Sequence, residues 1–287
     1  VHFFSHRFFS LLAQQKQSDL DSVFGVLGWE PPAEDPVVFA GTWIQELDRH
    51  GVQQAMLIAS LPQDVDSVTV AVQAFPTRFR GAAMVNPLDP GTIAQVAPLV
   101  AAGHLTMLCL FPAMHGYSVQ HEAVKNLIQS APGARIFVHC GILSVGVRGK
   151  LGLPSRFDLK YSNPIDLPAV ALEFPQTRFL IPHFGAGFWR ETLMAAQLCP
   201  NVYLDTSSSN SWTKLQAPAV DLKAVFKETL AITGPHRLLF GTDSSFFPRG
   251  WNAAVSQTQT TALQDLSADP ILARRLFVEN FNEFCEK

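Results

Sequence analysis

Cysteine is scarce in this chain. The four residues present, Cys109, Cys140, Cys199 and Cys285, lie far apart and form no CxxC pair. A disulfide framework is therefore not expected, and buried reduced thiols are the prediction. Charge is scarce too. Asp, Glu, Lys and Arg make up 16% of the residues, the formal net charge is −3, and the basic residues are scattered. A chain without a basic stripe offers neither a nucleic-acid surface nor a polybasic membrane anchor. Every apolar run is interrupted well short of the roughly 20 residues that cross a bilayer. No stretch has the charged, apolar, then small pattern of a signal peptide. No GxGxxG or P-loop follows any apolar run, which removes the usual nucleotide-binding readings. There is no low-complexity segment and no sequence repeat beyond the unit described next. These absences lead us to expect a cytoplasmic globular protein whose partner is a small molecule.

What is present is apolar material in a regular rhythm. Hydrophobic residues make up 47% of the 287 residues, ample for one large core. Short apolar runs alternate with helical patterns of about ten to fifteen residues, the signature of βαβ units and a parallel sheet. The runs are "VHFF", "VQQAMLIAS" (52–60), "FRGAAMVNP" (79–87), "LTMLCLFP" (105–112), "ARIFVHCG" (134–141), "TRFLIPHFG" (177–185), "NVYLDTSSS" (201–209) and "RLLFGTDSS" (237–245). Most are nearly all apolar, as strands covered on both faces must be. Between them "PVVFAGTWIQELDRHG" ends on Gly51, a C′ glycine, and "VQHEAVKNLIQSAPG" and "FWRETLMAAQLCP" stop at Gly or Pro. Eight such repeats predict an α/β fold, a (β/α)8 TIM barrel forming one domain over 1–287. Residues 14–36 and 142–166 break the rhythm after the first and fifth runs. Insertions there lie over the barrel mouth, where long loops act as lids or binding loops.

The C-terminal ends of the runs carry the chemistry. His2 is on the first, His139 ends the fifth, His183 the sixth, Asp205 with the hydroxyls Thr206–Ser209 the seventh, and Asp243 the eighth. A lone histidine is more often structural than catalytic. Three histidines and Asp243 on one rim are harder to explain as packing, because burying them without partners costs several kcal/mol each. A divalent cation satisfies such a cluster, since imidazole and carboxylate are ligands that zinc, manganese and iron accept. Asp205 reads as a hydrogen-bonding partner of its hydroxyl neighbours. His50, His104 and His236 precede strands and belong to the opposite, structural face, and His121 opens a helix. His115, just after the fourth run, is on the functional face and is a candidate substrate contact.

The ordered fragments "FVHCG", "IPHFGAG" and "LLFGTDSSFFP", together with Asn86–Pro87 and Phe111–Pro112, resemble the amidohydrolase superfamily. The likeness is to its amidohydrolase-related (amidohydrolase 2) branch, which includes aminocarboxymuconate-semialdehyde decarboxylase, and it runs over the whole chain. The family opens on His-x-His, and the resemblance matches its second histidine to His2, with the first falling one position before Val1. It implies His2, His139 and Asp243 as ligands of one divalent metal, zinc first and manganese or iron as alternatives. It implies His183 and Asp243 as the catalytic groups. Binuclear members use a carboxylated lysine from the fourth strand. Residues 105–112 hold no lysine and Lys125 falls in a predicted helix, so one metal is expected. A homodimer is suggested by the resemblance alone.

This constellation implies metal-activated water attacking an amide, ester or lactone, with Asp243 or His183 accepting a proton. The alternatives are metal-dependent non-oxidative decarboxylation of an aromatic or unsaturated acid, and a degenerate, non-catalytic small-molecule-binding barrel. Substrate contacts are sought among His115, Arg190, Arg249 and Trp251, with Arg148 and Arg156 behind them, since arginine clamps carboxylates. Phe3, Phe4, Phe246 and Phe247 suggest an apolar or aromatic substrate. His6 is no partner for His2 on one ion. Four strand residues span about 13 Å, whereas two span about 6.6 Å.

Overall fold

The computed structural model describes residues 1–208, 211–267 and 269–286. Among the described residues seven strands form one sheet in chain order. They are β1 (Ala55–Ala59), β2 (Phe79–Val85), β3 (Met107–Leu110), β4 (Arg135–Val138), β5 (Phe179–Ile181), β6 (Val202–Asp205) and β7 (Leu238–Leu239). β1 pairs with β2 in parallel from Ala55↔Phe79 to Ala59↔Ala83, and β4 through β7 continue in the same sense. β3, β4 and β5 are buried at every position, which explains why their residues are apolar apart from Arg135 at the start of β4. Contacts gather the chain into two compact units. One comprises Val1–Cys109, Ser144–Arg156 and Asp243–Asn252; the other comprises Leu110–Leu143, Phe157–Thr242 and Ala253–Lys287.

In the first unit, the opening run differs from the expected strand. His2 forms an isolated parallel bridge to Ile58, with Phe3 N–H donating to Ile58 O at 3.0 Å and Ile58 N–H to Val1 O at 2.8 Å. Its own N–H donates to Ser244 O at 2.8 Å. Pairing stops there because Ser5 is a helix cap. Its hydroxyl accepts from Phe8 N–H at 3.0 Å and starts helix α1 (His6–Lys16). The same hydroxyl donates to Asp64 Oδ2 at 2.6 Å, and Ser67 donates to Oδ1 at 2.6 Å. Asp64 is fully buried, and burial raises its pKa from 3.8 to about 6 against the opposing pull of the two hydroxyls.

Both insertions contain helical turns between stretches without regular structure. After α1, Asp19 caps α2 (Leu20–Leu27) by accepting from Ser22 N–H at 2.7 Å. The second insertion supplies a short helix, Gly146–Lys150. Phe8, Phe9 and Leu12 of α1, Val23 and Leu27 of α2, and Val147 and Leu151 share one apolar cluster. Lys16 Nζ donates to Leu151 O at 2.6 Å and Arg148 Nη1 to Gln15 Oε1 at 2.7 Å. Segments 130 residues apart in sequence thus complete each other's core, since neither short helix could bury its apolar face alone. The long helix α3 (Pro36–Arg49) follows, capped by Asp35 with Pro36 in its first turn.

In the second unit, the loops after β4 and β5 touch backbone to backbone. Gly141 donates to Ser162 O at 2.9 Å and Ile142 to Ala186 O at 2.8 Å. Arg135 Nε reaches Phe284 O at 2.6 Å and Asn280 Nδ2 reaches Leu238 O at 2.8 Å, tying the last helix to the strands. The four cysteines are free thiols, three of them buried, and burial pushes the Cys140 thiol upward. Among the described residues no helix is long and apolar enough to cross a membrane.

Two outcomes follow from these contacts. The folded-state pKa of Asp64 lies above its unfolded value, so its contribution is complete below 3.8 and is lost as pH rises through about 6. Relative to Asp64→Asn, wild-type stability should fall by about 2–3 kcal/mol between about pH 4 and about pH 7.5 in urea titrations. Parallel pH profiles for the two proteins would refute this. At Gly141 (φ +73°) a Cβ would lie 2.2 Å from Gly185 O and 2.3 Å from Ala186 O. Gly141→Ala should therefore cost about 2–4 kcal/mol, read as a lowered denaturation midpoint.

Candidate functional site

In the first unit the structure brings His2 and Asp243 together. His2 is set by its bridge to Ile58 and its N–H bond to Ser244. Its ring Nδ1 meets Ser60 Oγ at 2.7 Å, at the end of β1. That leaves Nε2 facing Asp243 Oδ1 at 3.1 Å, with the two side chains 26% and 39% exposed. Asp243 has φ +56°, left-handed for a residue that is not glycine. Such strain, of order 1–3 kcal/mol, collects at functional sites. An imidazole nitrogen and a carboxylate oxygen at this distance need either a hydrogen on Nε2 or a cation between them. Two donors each about 2.1 Å from one ion stand about 3.0–3.4 Å apart. The pair meets that spacing, so these two residues fit the metal that the sequence resemblance implies.

Aromatic rings flank this pair. The His2 and Phe4 ring centroids are 5.8 Å apart, Phe4 stacks on Phe8 at 4.2 Å, and Trp29 stacks on Phe246 at 3.9 Å. The Arg249 guanidinium lies 4.4 Å over Phe246 and donates to Asp243 O at 3.2 Å and Ser245 Oγ at 2.9 Å. Lys150 Nζ lies 5.4 Å from the Trp29 ring. Phe3 and Phe247 turn the other way, onto Phe39 at 4.9 Å and Trp43 at 4.8 Å. Trp251 is engaged with α3. Its N–H donates to Glu46 Oε1 at 2.9 Å and its ring lies 6.1 Å from His50.

The second unit brings His139 and His183 together, with ring centroids 5.3 Å apart. His139, buried at the end of β4, donates its N–H to Leu110 O at 2.9 Å and lies on the Phe111 ring at 5.4 Å. His183, just past β5, has φ +58°. Its N–H donates to Asp205 Oδ1 at 3.0 Å and its Nδ1 lies 2.8 Å from Ser207 Oγ. His115 ends a short helix after β3 and stacks beside Tyr117, at 6.3 Å. Arg190 is exposed in the first turn of the helix Trp189–Leu198. Lys125 sits on the helix Glu122–Ser130 and pairs with Glu173 at 2.6 Å. His121 caps that helix by accepting from Ala123 N–H at 3.1 Å. Ser209 lies outside the described residues.

Asp205 bonds Ser207, one of the hydroxyl neighbours that the sequence pairs with it, whereas Ser60, Trp29 and Lys150 were not singled out from sequence. Ser60 stands at a strand end like the histidine it holds, so the same positional rule could have found it. Trp29 and Lys150 lie in the insertions, where no periodicity marks them. Among the described residues, no group of three or more His, Cys, Asp or Glu side chains is gathered to hold a metal.

Comparison with known proteins bears on the fold and the family. The protein fluG of Emericella nidulans is 32% identical over 91 residues, a match covering 32% of this chain but only 10% of that protein. A TIM-barrel protein of Bordetella bronchiseptica superposes with a TM-score of 0.64 at 17% identity, over 99% of this chain and 94% of its own. A manganese-bound 5-carboxyvanillate decarboxylase of Novosphingobium aromaticivorans gives 0.63 at 14% identity, over 98% and 92%. A probable 2-pyrone-4,6-dicarboxylic acid hydrolase of Acinetobacter baumannii gives 0.58 at 14% identity, over 86% and 88%. At such identities the structures establish the fold, an α/β fold of the TIM-barrel type. The model of the family described as amidohydrolase matches residues 31–280, a span that contains His139, His183 and Asp243. On that match, the chain belongs to the amidohydrolase family.

Proposed function

We propose that this protein is a hydrolase that depends on one divalent metal and acts on an amide, ester or lactone of a small aromatic or acidic compound. The observation that carries the reading is the His2 Nε2–Asp243 Oδ1 pair at 3.1 Å, with the far side of the imidazole held by Ser60. His2 and Asp243 would hold the ion, and the family resemblance adds His139 as a further donor. Their imidazole and carboxylate chemistry admits zinc, manganese or iron(II). When bound, such an ion would supply Lewis acidity, polarising a carbonyl and lowering the pKa of water towards about 7.

The remaining steps belong to the chain. His183 and Asp243 are the proton acceptors as water attacks the carbonyl carbon, a contribution of about 10²–10⁴ in rate. Arg249, steadied over Phe246, and Lys150, beside Trp29, supply positive charge for a carboxylate. Phe4, Trp29 and Phe246 supply flat apolar surface for a ring. His115 and Arg190 remain candidate contacts. Trp251, turned onto His50, is not assigned to substrate.

Metal analysis of the full-length protein should find one zinc, manganese or iron per chain, with loss of the ion in His2→Ala and Asp243→Asn. Ser60→Ala should weaken metal affinity about 10–100-fold in chelator competition, because the second ring nitrogen loses its partner. Turnover of aryl esters or lactones that disappears with the metal supports hydrolysis. Carbon dioxide release from aromatic acids, abolished by Asp243→Asn, would replace hydrolysis with decarboxylation. A metal-free protein whose behaviour ignores His139→Ala would be a binding barrel. Two ions per chain would overturn the single-metal assignment.

A further inference from the structure

At the end of β6 a carboxylate, a hydroxyl and an imidazole are linked in series. Asp205 Oδ1 accepts from Ser207 Oγ at 2.5 Å, from Ser207 N–H at 2.9 Å and from His183 N–H at 3.0 Å. Ser207 Oγ lies 2.8 Å from His183 Nδ1. The direct separation of His183 Nδ1 from Asp205 Oδ1 is 4.0 Å, too long for a hydrogen bond, so the hydroxyl is the bridge. The group is sheltered, with the His183 and Asp205 side chains 14% and 13% exposed.

Proton counting orients the chain. A carboxylate only accepts and a hydroxyl has one proton to give. At 2.5 Å from Oδ1 that proton belongs to the bond with Asp205. Placing it on the histidine side would leave two oxygens facing each other with nothing between them. Ser207 must then accept from His183, which requires the ring proton on Nδ1 and leaves the lone pair on Nε2. Strand geometry brings this about. Asp205 is the last residue of β6, and Ser207, two residues on, turns its N–H and its hydroxyl back onto the carboxylate, while Thr206 N–H still pairs with Leu239 O at 3.0 Å. Thr206 is held there by Gln259, its hydroxyl donating to Oε1 at 2.5 Å. Room for Ser207 comes from Gly241, where a Cβ would lie 2.9 Å from the serine Cβ.

We propose that Asp205 and Ser207 are positioning residues that lock His183 in the Nδ1–H tautomer, so that Nε2 is the nitrogen able to accept a proton. The proposal rests on the hydrolase reading only for what Nε2 then does. The tautomer stands on the bonds themselves. The Nδ1 partner of a histidine decides which nitrogen is the base, and here that partner is a serine made acceptor-only by a half-buried carboxylate.

The test is a two-bond ¹H–¹⁵N spectrum of the full-length protein with labelled histidine, recorded with and without added zinc, His183 being assigned by its loss in His183→Gln. Wild type should show a protonated Nδ1 and a lone-pair Nε2. Ser207→Ala should bring in the Nε2–H form, and Ser207→Thr, which keeps the hydroxyl, should not. On a substrate found by the screen above, Ser207→Ala should lower kcat about 10–100-fold with KM nearly unchanged, and Ser207→Thr should recover most of it. A wild-type spectrum with the proton on Nε2 overturns the proposal without recourse to any variant. So does a Ser207→Ala spectrum identical to wild type. A correct tautomer in a protein that hydrolyses nothing upholds this assignment and refutes the hydrolase reading, so the two failures are told apart.

Discussion

A strand buried on both faces has no place for an unsatisfied polar side chain, and the rest of this structure is arranged around that constraint. β3, β4 and β5 are buried at every position, and their residues are apolar except Arg135 at the start of β4, whose guanidinium is bonded to backbone carbonyls. Polar groups are tolerated where the backbone enters or leaves the sheet and the chain can offer partners. His139, His183, Asp205, Ser60 and Asp243 all stand at such exits. The concentration of chemistry at strand ends is thus a consequence of burial before it is a consequence of function.

At those exits the recurring unit is a histidine whose Nδ1 meets a serine from another strand end. Ser60 stands against His2 in one unit, and Ser207 against His183 in the other. Each contact leaves Nε2 as the working nitrogen and removes ring rotation that would otherwise be lost on binding. The backbone contributes as well. His183 and Asp243 both sit in the left-handed region, a cost of order 1–3 kcal/mol each. Asp205 helps hold His183 there by accepting its N–H. Glycine is required where these turns crowd, at Gly141 against Gly185 and at Gly241 against Ser207.

The two insertions show how distant segments become one element. α1, α2 and the helix Gly146–Lys150 each carry an apolar stripe too short to stand alone, and their shared cluster joins residues from both ends of the first unit. That block sets Lys150 against Trp29 and Trp29 on Phe246, whose ring also lies under the Arg249 guanidinium. The aromatic and cationic surface near His2 is assembled from three stretches of chain; Phe4, Phe246 and Arg249 are expected there from sequence, whereas Trp29 and Lys150 are not.

By itself the sequence determined the alternation of strand and helix, the parallel sheet, the free cysteines, and the positions of His139, His183 and Asp243 beyond the ends of strands, because hydrophobic period and polar interruption are local properties. The opening run reads as a strand yet forms a single bridge, since the Ser5 cap and its bond to Asp64 depend on a residue 59 positions away. Residues 14–36 and 142–166 read as loops because their burial depends on each other. That His2 faces Asp243, that a serine stands behind each of two histidines, and that Trp251 turns to His50 were decided only by the tertiary structure. Each is a pairing over long sequence separation, set by how elements pack and not by any local pattern in the chain.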